Sequence, residues 1–177
     1  MILTGNEIMR EVYAERIIIK PFSPTCINPN SYDYHLGSTL KRAPLRIIDR
    51  SEKQAWETVR LKQKGRYLLQ PGRLYLGHTR EVIGSKHYVT SLIGKSSMGR
   101  LGLYLQISAD LGHQGAIHKW TLELCVVQPV YVYAGMVIGQ VSFWKPFGTI
   151  RRYFGKYGST NKPLENQDST AKEHSNS

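Results

Sequence analysis

From Arg16 onward the chain alternates short β-branched and aromatic runs with Gly, Pro, Asn and Asp, and this punctuation limits the fold more than any other feature. Runs of this length are too short for helices and suit strands. The pattern predicts strands at Arg16–Lys20, Tyr32–Leu36, Leu45–Ile48, Glu57–Leu61, Tyr67–Gln70 and Leu74–Thr79. It predicts more at His87–Ile93, Leu103–Ser108, Trp120–Val127, Val130–Tyr133 and Val137–Trp144. Gln70-Pro71-Gly72 and Tyr133-Ala134-Gly135 read as turns between strands. Many short strands joined by turns imply an all-β barrel or sandwich. Only the opening differs. Thr4-Gly5-Asn6-Glu7 has the form of a capping box, and Ile8, Met9, Val12 and Tyr13 follow at helical spacing. A short amphipathic helix is expected over 5–14, and a second could begin near Ser96.

A chain of 177 residues can bury one substantial core but not two ordinary ones. No stretch approaches the ~20 apolar residues of a membrane span. The amino terminus lacks the pattern of a secretory signal, so a cytoplasmic protein is expected. Cys26 and Cys125 are far apart and form no CxxC, so free thiols are expected. The net charge of +11 makes a polyanion the natural partner. Nucleic acid and a nucleoside triphosphate both satisfy that condition.

Residues 145–162 interleave Lys145, Arg151, Arg152, Lys156 and Lys162 with Tyr153, Phe154, Tyr157 and glycines. The remainder is polar, as in disordered tails. The expected division is a β-domain over 1–148, an arm over 149–163 and a tail over 164–177.

Several familiar devices are missing. No histidine is followed two places later by glutamate, and there is no Pro-Cys-x-x-Cys, so the motif of the zinc deaminases is absent. There is no P-loop, no GxGxxG and no GxSxG. Two stretches remain. Gly94-Lys95-Ser96-Ser97-Met98-Gly99-Arg100-Leu101-Gly102-Leu103 follows an alternating strand and offers cations, hydroxyls and free amides to phosphate oxygens. It also reads as a polar turn. In Trp120-Thr121-Leu122-Glu123-Leu124-Cys125-Val126-Val127, alternation puts Thr121, Glu123 and Cys125 on one face. Glu123 is then a lone acid in an apolar strand. That is a setting for a general base, or for a structural pair with an arginine.

The order of motifs resembles the dCTP deaminases of the dUTPase-related superfamily, from Met1 to about Pro163. Met1-Ile2-Leu3-Thr4-Gly5 with Ile8 resembles the family's opening helix. Ile27-Asn28-Pro29-Asn30-Ser31-Tyr32-Asp33-Tyr34-His35-Leu36-Gly37 resembles its N-terminal signature. Leu69-Gln70-Pro71-Gly72 with Tyr75-Leu76-Gly77 is similar to the next hairpin. Gly94–Leu103 resembles the serine motif, Thr121–Leu124 the catalytic strand, and Tyr133–Gln140 the later Pro-Gly-Met strand.

The resemblance implies a mainly β, distorted barrel or jelly-roll-like dUTPase-type fold, with a short N-terminal helix and a flexible C-terminal arm. It implies a homotrimer with shared active sites, dCTP as substrate and dUTP plus ammonia as products. Mg2+ would ride on the triphosphate, with no protein side chain ligating it and no zinc on the base. Neither membrane nor nucleic acid is the expected partner. Glu123 would be the general base and acid, and Ser96 would hold the attacking water or the C4 substituent. Arg100 would support Glu123 and the base. Lys95 and Ser97 would face phosphate, with Met98, Gly99, Thr121 and Leu122 completing the nucleotide site. Tyr153, Lys156 and Asn161 of the arm would cover the nucleotide.

These residue types suit the reaction. Water attacks C4 of cytosine and ammonia departs. Glu123 can take the water's proton and pass one to N3 or the amine. Arg100 can keep Glu123 ionised once substrate excludes solvent, because an opposing charge favours the anion. A closing arm removes bulk water.

Some residues depart from the family pattern. Lys95 replaces an arginine and loses its planar fork. The loop from Ser108 to Lys119 is irregular; Asp110 is the choice for the sugar-reading aspartate, with His113 the competitor by spacing. Gly158-Ser159-Thr160-Asn161 slightly resembles the end motif of dUTPases. His87, His118 and His174 receive no role, and Trp56, Trp120 and Trp144 are assigned to packing. One alternative is a dUTPase or a bifunctional enzyme releasing dUMP and diphosphate. Another is a non-catalytic nucleotide- or nucleic-acid-binding module.

Overall fold

The computed structural model describes residues 1–44, 54–62, 65–105, 109–149 and 161–164. The expected strand Leu45–Ile48, the arm residues Tyr153 and Lys156, and the tail beyond Leu164 lie outside these residues.

Helix α1 spans Gly5–Tyr13 and seats Ile8 in the core. The capping box does not form. Thr4 occupies the N-cap without a side-chain bond, and the Glu7 carboxylate accepts from Arg10 at 2.5 Å. A charged partner one turn away wins over the backbone N–H behind it. Tyr13, expected on the apolar face, is exposed and meets Phe22 edge-on. Glu11 takes the inward place instead, where Arg16 forks onto its carboxylate and the Tyr88 hydroxyl donates at 2.8 Å. The Arg16 hydrogen bond holds the Glu11 carboxyl below the usual range despite burial.

The mainly β expectation is met. Among the described residues the strands form four antiparallel sheets rather than one closed barrel. The largest runs β4 (Glu57–Arg60), β3 (Thr39–Arg42), β6 (Tyr75–His78), β12 (Thr121–Val126) and β9 (Leu103–Leu105). A second runs β10 (Leu111–Gly112), β8 (Val89–Gly94), β14 (Val137–Trp144) and β2 (Tyr32–His35). A third joins β1 (Ile17–Lys20), β7 (Val82–Ser85) and β11 (Ile117–His118), and a fourth pairs β13 (Val130–Val132) with β5 (Tyr67–Leu69). Inward residues of the two large sheets, including Leu40, Leu122, Leu124, Tyr34, Leu92 and Val141, meet in one core.

The expected turns are present, with Gly72 and Gly135 at φ of +73° and +81°, a region that favours glycine. β3, β7, β10 and β11 are strands the sequence pattern does not announce. Lys41-Arg42 and Gly84-Ser85 break alternation, and two-residue strands carry no period. Gly139 of β14 passes close to Tyr34. A Cβ there would lie 2.2 Å from the Tyr34 hydroxyl, which itself donates to the Ile93 carbonyl at 3.1 Å. The amino terminus is zipped to the end of β14: Leu3 N–H donates to Phe143 O, and Lys145 N–H to Met1 O, both at 2.9 Å.

Candidate active site

Strand β12 is paired on both sides, by β6 and by β9. Leu122, Leu124 and Val126 point inward and are buried. Thr121, Glu123 and Cys125 share the other face and are half-buried, as the alternation predicts. Glu123 lies opposite Leu76, and Leu76 lies opposite Lys41 on its other side. Acid and base therefore sit in one row across three strands. Burial raises the Cys125 thiol, and the Glu123 carboxylate two residues away adds to the effect, so Cys125 is held as a thiol at neutral pH.

The serine motif is the connection from β8 to β9. Lys95 is extended, and α2 (Ser96–Gly99) gives a single turn. The chain then reverses at Gly102, whose φ is +79°. Ser96, Ser97 and Arg100 are exposed, while Met98 packs against the core. At Gly94 a Cβ would stand 3.6 Å from Leu105, and Leu105 pairs with Leu124. The motif runs directly into β9, and its last residue, Leu103, pairs with Val126 on the strand that carries Glu123.

The Lys95 ammonium is ion-paired with Asp33 of β2. Asp33 is 8% exposed and also accepts from Asn28 Nδ2 at 2.8 Å. Asp33 lies inside the N-terminal signature, but nothing in the sequence links it to a lysine 62 positions later. Asp110 is exposed; its carboxylate accepts from the Ser91 hydroxyl at 2.7 Å, and its carbonyl from Leu92 N–H. His113 is exposed at the turn before β11.

The described end of the arm lies against the start of β12. Asn161 Oδ1 accepts from Lys119 N–H and Thr121 Oγ1 from Leu164 N–H, each at 3.2 Å, with Pro163 buried between them. Asn161 is thus placed two residues before Thr121.

A second polar cluster flanks this strand and is not legible in the sequence. Fully buried Glu81 accepts from the backbone N–H and Nδ1 of His35 at 2.9 and 2.6 Å and from Arg80 at 2.9 Å. His78, opposite Thr121, donates Nδ1–H to Thr79 O at 2.8 Å, and burial lowers its pKa. His118 is buried with its ring 4.3 Å from that of Trp120, whose Nε1 donates to Ile83 O. The packing role expected of Trp120 is observed; Trp144 is 43% exposed. Among the described residues no group of three or more His, Cys, Asp or Glu is placed to hold a metal ion, and no helix is long and apolar enough to cross a membrane.

Residues 2–146 match the family model for dCTP deaminase-like proteins. A Clostridium beijerinckii protein named dCTP deaminase, dUMP-forming, is 39% identical over 93% of this chain and 94% of its own. A Leptospira biflexa protein of the same name is 38% identical over 89% and 90%. A Rhodopirellula baltica protein named dCTP deaminase is 38% identical over 84% and 74%. In three dimensions the chain is similar to 2'-deoxycytidine 5'-triphosphate deaminase from Agrobacterium tumefaciens, with a TM-score of 0.63 at 21% identity. That likeness, over 80% of this chain and about half (47%) of the other, concerns the fold alone.

Proposed function

The chain belongs to the dCTP deaminase-like family, and from that premise we propose that it is the hydrolase that converts dCTP to dUMP, with release of ammonia and diphosphate. Deamination is the part on which its relatives agree. The sequence alone favours dUTP as the end product. The names of the relatives that match over nearly their whole length favour the further step to dUMP.

The observation that carries the reading is Glu123, half-buried on a strand paired on both sides and next to the serine motif. A carboxylate on a rigid central strand is held in place before substrate arrives. In this reading Glu123 removes a proton from the water that attacks C4. It passes that proton to N3, then takes the remaining proton from the new C4 hydroxyl and delivers it to the departing amine, so that the C4–N bond breaks, ammonia leaves and the uracil carbonyl forms. Ser96 orients the water, and Arg100 on the exposed turn stabilises the negative charge. Lys95 and Ser97 grip the phosphates, with Asp110 or His113 at the sugar. Asn161, with Tyr153 and Lys156 of the arm, closes over the nucleotide.

The serine-motif donors suit phosphate oxygens, so Mg2+ would arrive on the triphosphate and neutralise part of its charge. We place the active sites between protomers of a homotrimer. Exposed Ile93, Leu101, Tyr104 and Val127 around the serine motif and the ends of β9 and β12 support an apolar contact there.

The test is to incubate the protein separately with dCTP and dUTP and assay ammonia and diphosphate. Ammonia and diphosphate from dCTP support the proposal. Ammonia without diphosphate limits the enzyme to dUTP formation. Diphosphate from dUTP with no ammonia from dCTP rejects deamination.

A further inference from the structure

We infer that Asp33 is a positioning residue for the nucleotide's phosphates, acting through Lys95. The inference rests on the proposed nucleotide site and assigns a residue that site does not include.

Asp33 of β2 and Ile93 of β8 both lie opposite Gln140 of β14. Residues directly across an antiparallel sheet share a face. Lys95 follows Ile93 by two positions in extended backbone, which returns its side chain to that face. Asp33 and Lys95 therefore meet across the central strand, and the pairing follows from register rather than chance approach.

The carboxylate is itself fixed on both sides. Asn28 Nδ2 donates to one oxygen, and the Lys95 ammonium takes the other. Gln140, between them, is held by the Ser31 hydroxyl at 2.8 Å. The Asp33 side chain is 12% exposed and that of Lys95 is 32% exposed. The acid is enclosed and the cation is reachable, the arrangement of an anchor behind a ligand.

An ammonium has three donors. One faces Asp33, which leaves two for phosphate oxygens. A free lysine on its four-carbon stem loses much rotamer freedom when it binds an anion. One already tied down has met that cost. Asp33 restores some of the definition the chain gives up by having lysine at 95, since lysine lacks the fixed fork of arginine. Asp33 need not touch the nucleotide.

The test uses full-length protein, with steady-state deamination of dCTP and calorimetric titration of dCTP and inorganic triphosphate. Asp33→Asn should raise the KM for dCTP and the Kd for triphosphate by about tenfold, with kcat within about twofold of wild type. In a Lys95→Ala background the same change should have no further effect on either constant, which a merely structural role would not reproduce. Should Asp33→Asn fail to fold, Asn28→Ala loosens the same carboxylate from its other side and should raise KM by about threefold. Unchanged or tighter triphosphate binding in the folded variant, or an equal loss in the Lys95→Ala background, overturns the inference. If the wild type releases no ammonia, the deaminase reading fails, and the triphosphate titrations still decide the role of Asp33.

Discussion

Glu123 and Lys41 are separated by a single residue, Leu76, which lies opposite both across adjacent strands of the five-stranded sheet. Strand spacing puts their Cα atoms about 10 Å apart on one face. Pairing with Leu76 of β6 holds the Glu123 backbone within a strand that β9 also joins from Leu124 onward, so an isosteric change there alters chemistry and spares the fold. Glu123→Gln should lower kcat for ammonia release by at least about a thousandfold while dCTP still binds within a few-fold of wild type. Retained turnover would remove Glu123 from the mechanism.

The contacts of Asn161 and Leu164 at the start of β12 reach to within two residues of Glu123. Ending the chain at residue 160 removes both hydrogen bonds and the buried Pro163. The expected result is a KM for dCTP raised about tenfold or more, with loss of thermal stability limited to the equivalent of about two hydrogen bonds. Equal KM values for the two lengths would leave the segment without a part in substrate binding.

Close packing of β14 against β2 gives a prediction about stability. Gly139→Ala sets a methyl group against the Tyr34 hydroxyl, and the next obstacle is the Ile93 carbonyl at 2.6 Å. Overpacking of this kind costs about 1–3 kcal/mol, because backbone cannot yield as a flexible side chain can. Chemical denaturation should show it as a lower midpoint at unchanged slope.

His78 supplies a pH dependence. Burial, aided by nearby Lys119 and opposed by the Thr79 carbonyl, lowers its pKa. Unfolded, the same imidazole takes a proton near pH 6.5, so below that value the unfolded chain binds a proton the folded chain refuses. Stability contributed by neutral His78 is thus full above about pH 6.5 and declines as pH falls below it. The melting temperature should drop on that side. The His78 ring signals in NMR should titrate below pH 6.5, and a midpoint at or above it would contradict the burial argument.

What the sequence discloses depends on the length and regularity of each element. β12 alternates through its six residues and β14 from Gly139 to Trp144, so their faces can be read directly, and with them the placement of Glu123. β10 and β11 have two residues each and exist because longer strands recruit them. The Thr4–Glu7 pattern misleads because Arg10 competes for the acid. Long-range pairs are hidden for a different reason. His35 with Glu81, and Asp33 with Lys95, are joined by sheet register, and local pattern holds no information on which strands become neighbours.

The zipped amino terminus has a practical corollary. Residues fused ahead of Met1 would emerge beside Lys145, where the basic carboxy-terminal segment departs from the sheet. An affinity handle at that end would crowd the root of that segment and depress apparent substrate affinity until it was cleaved.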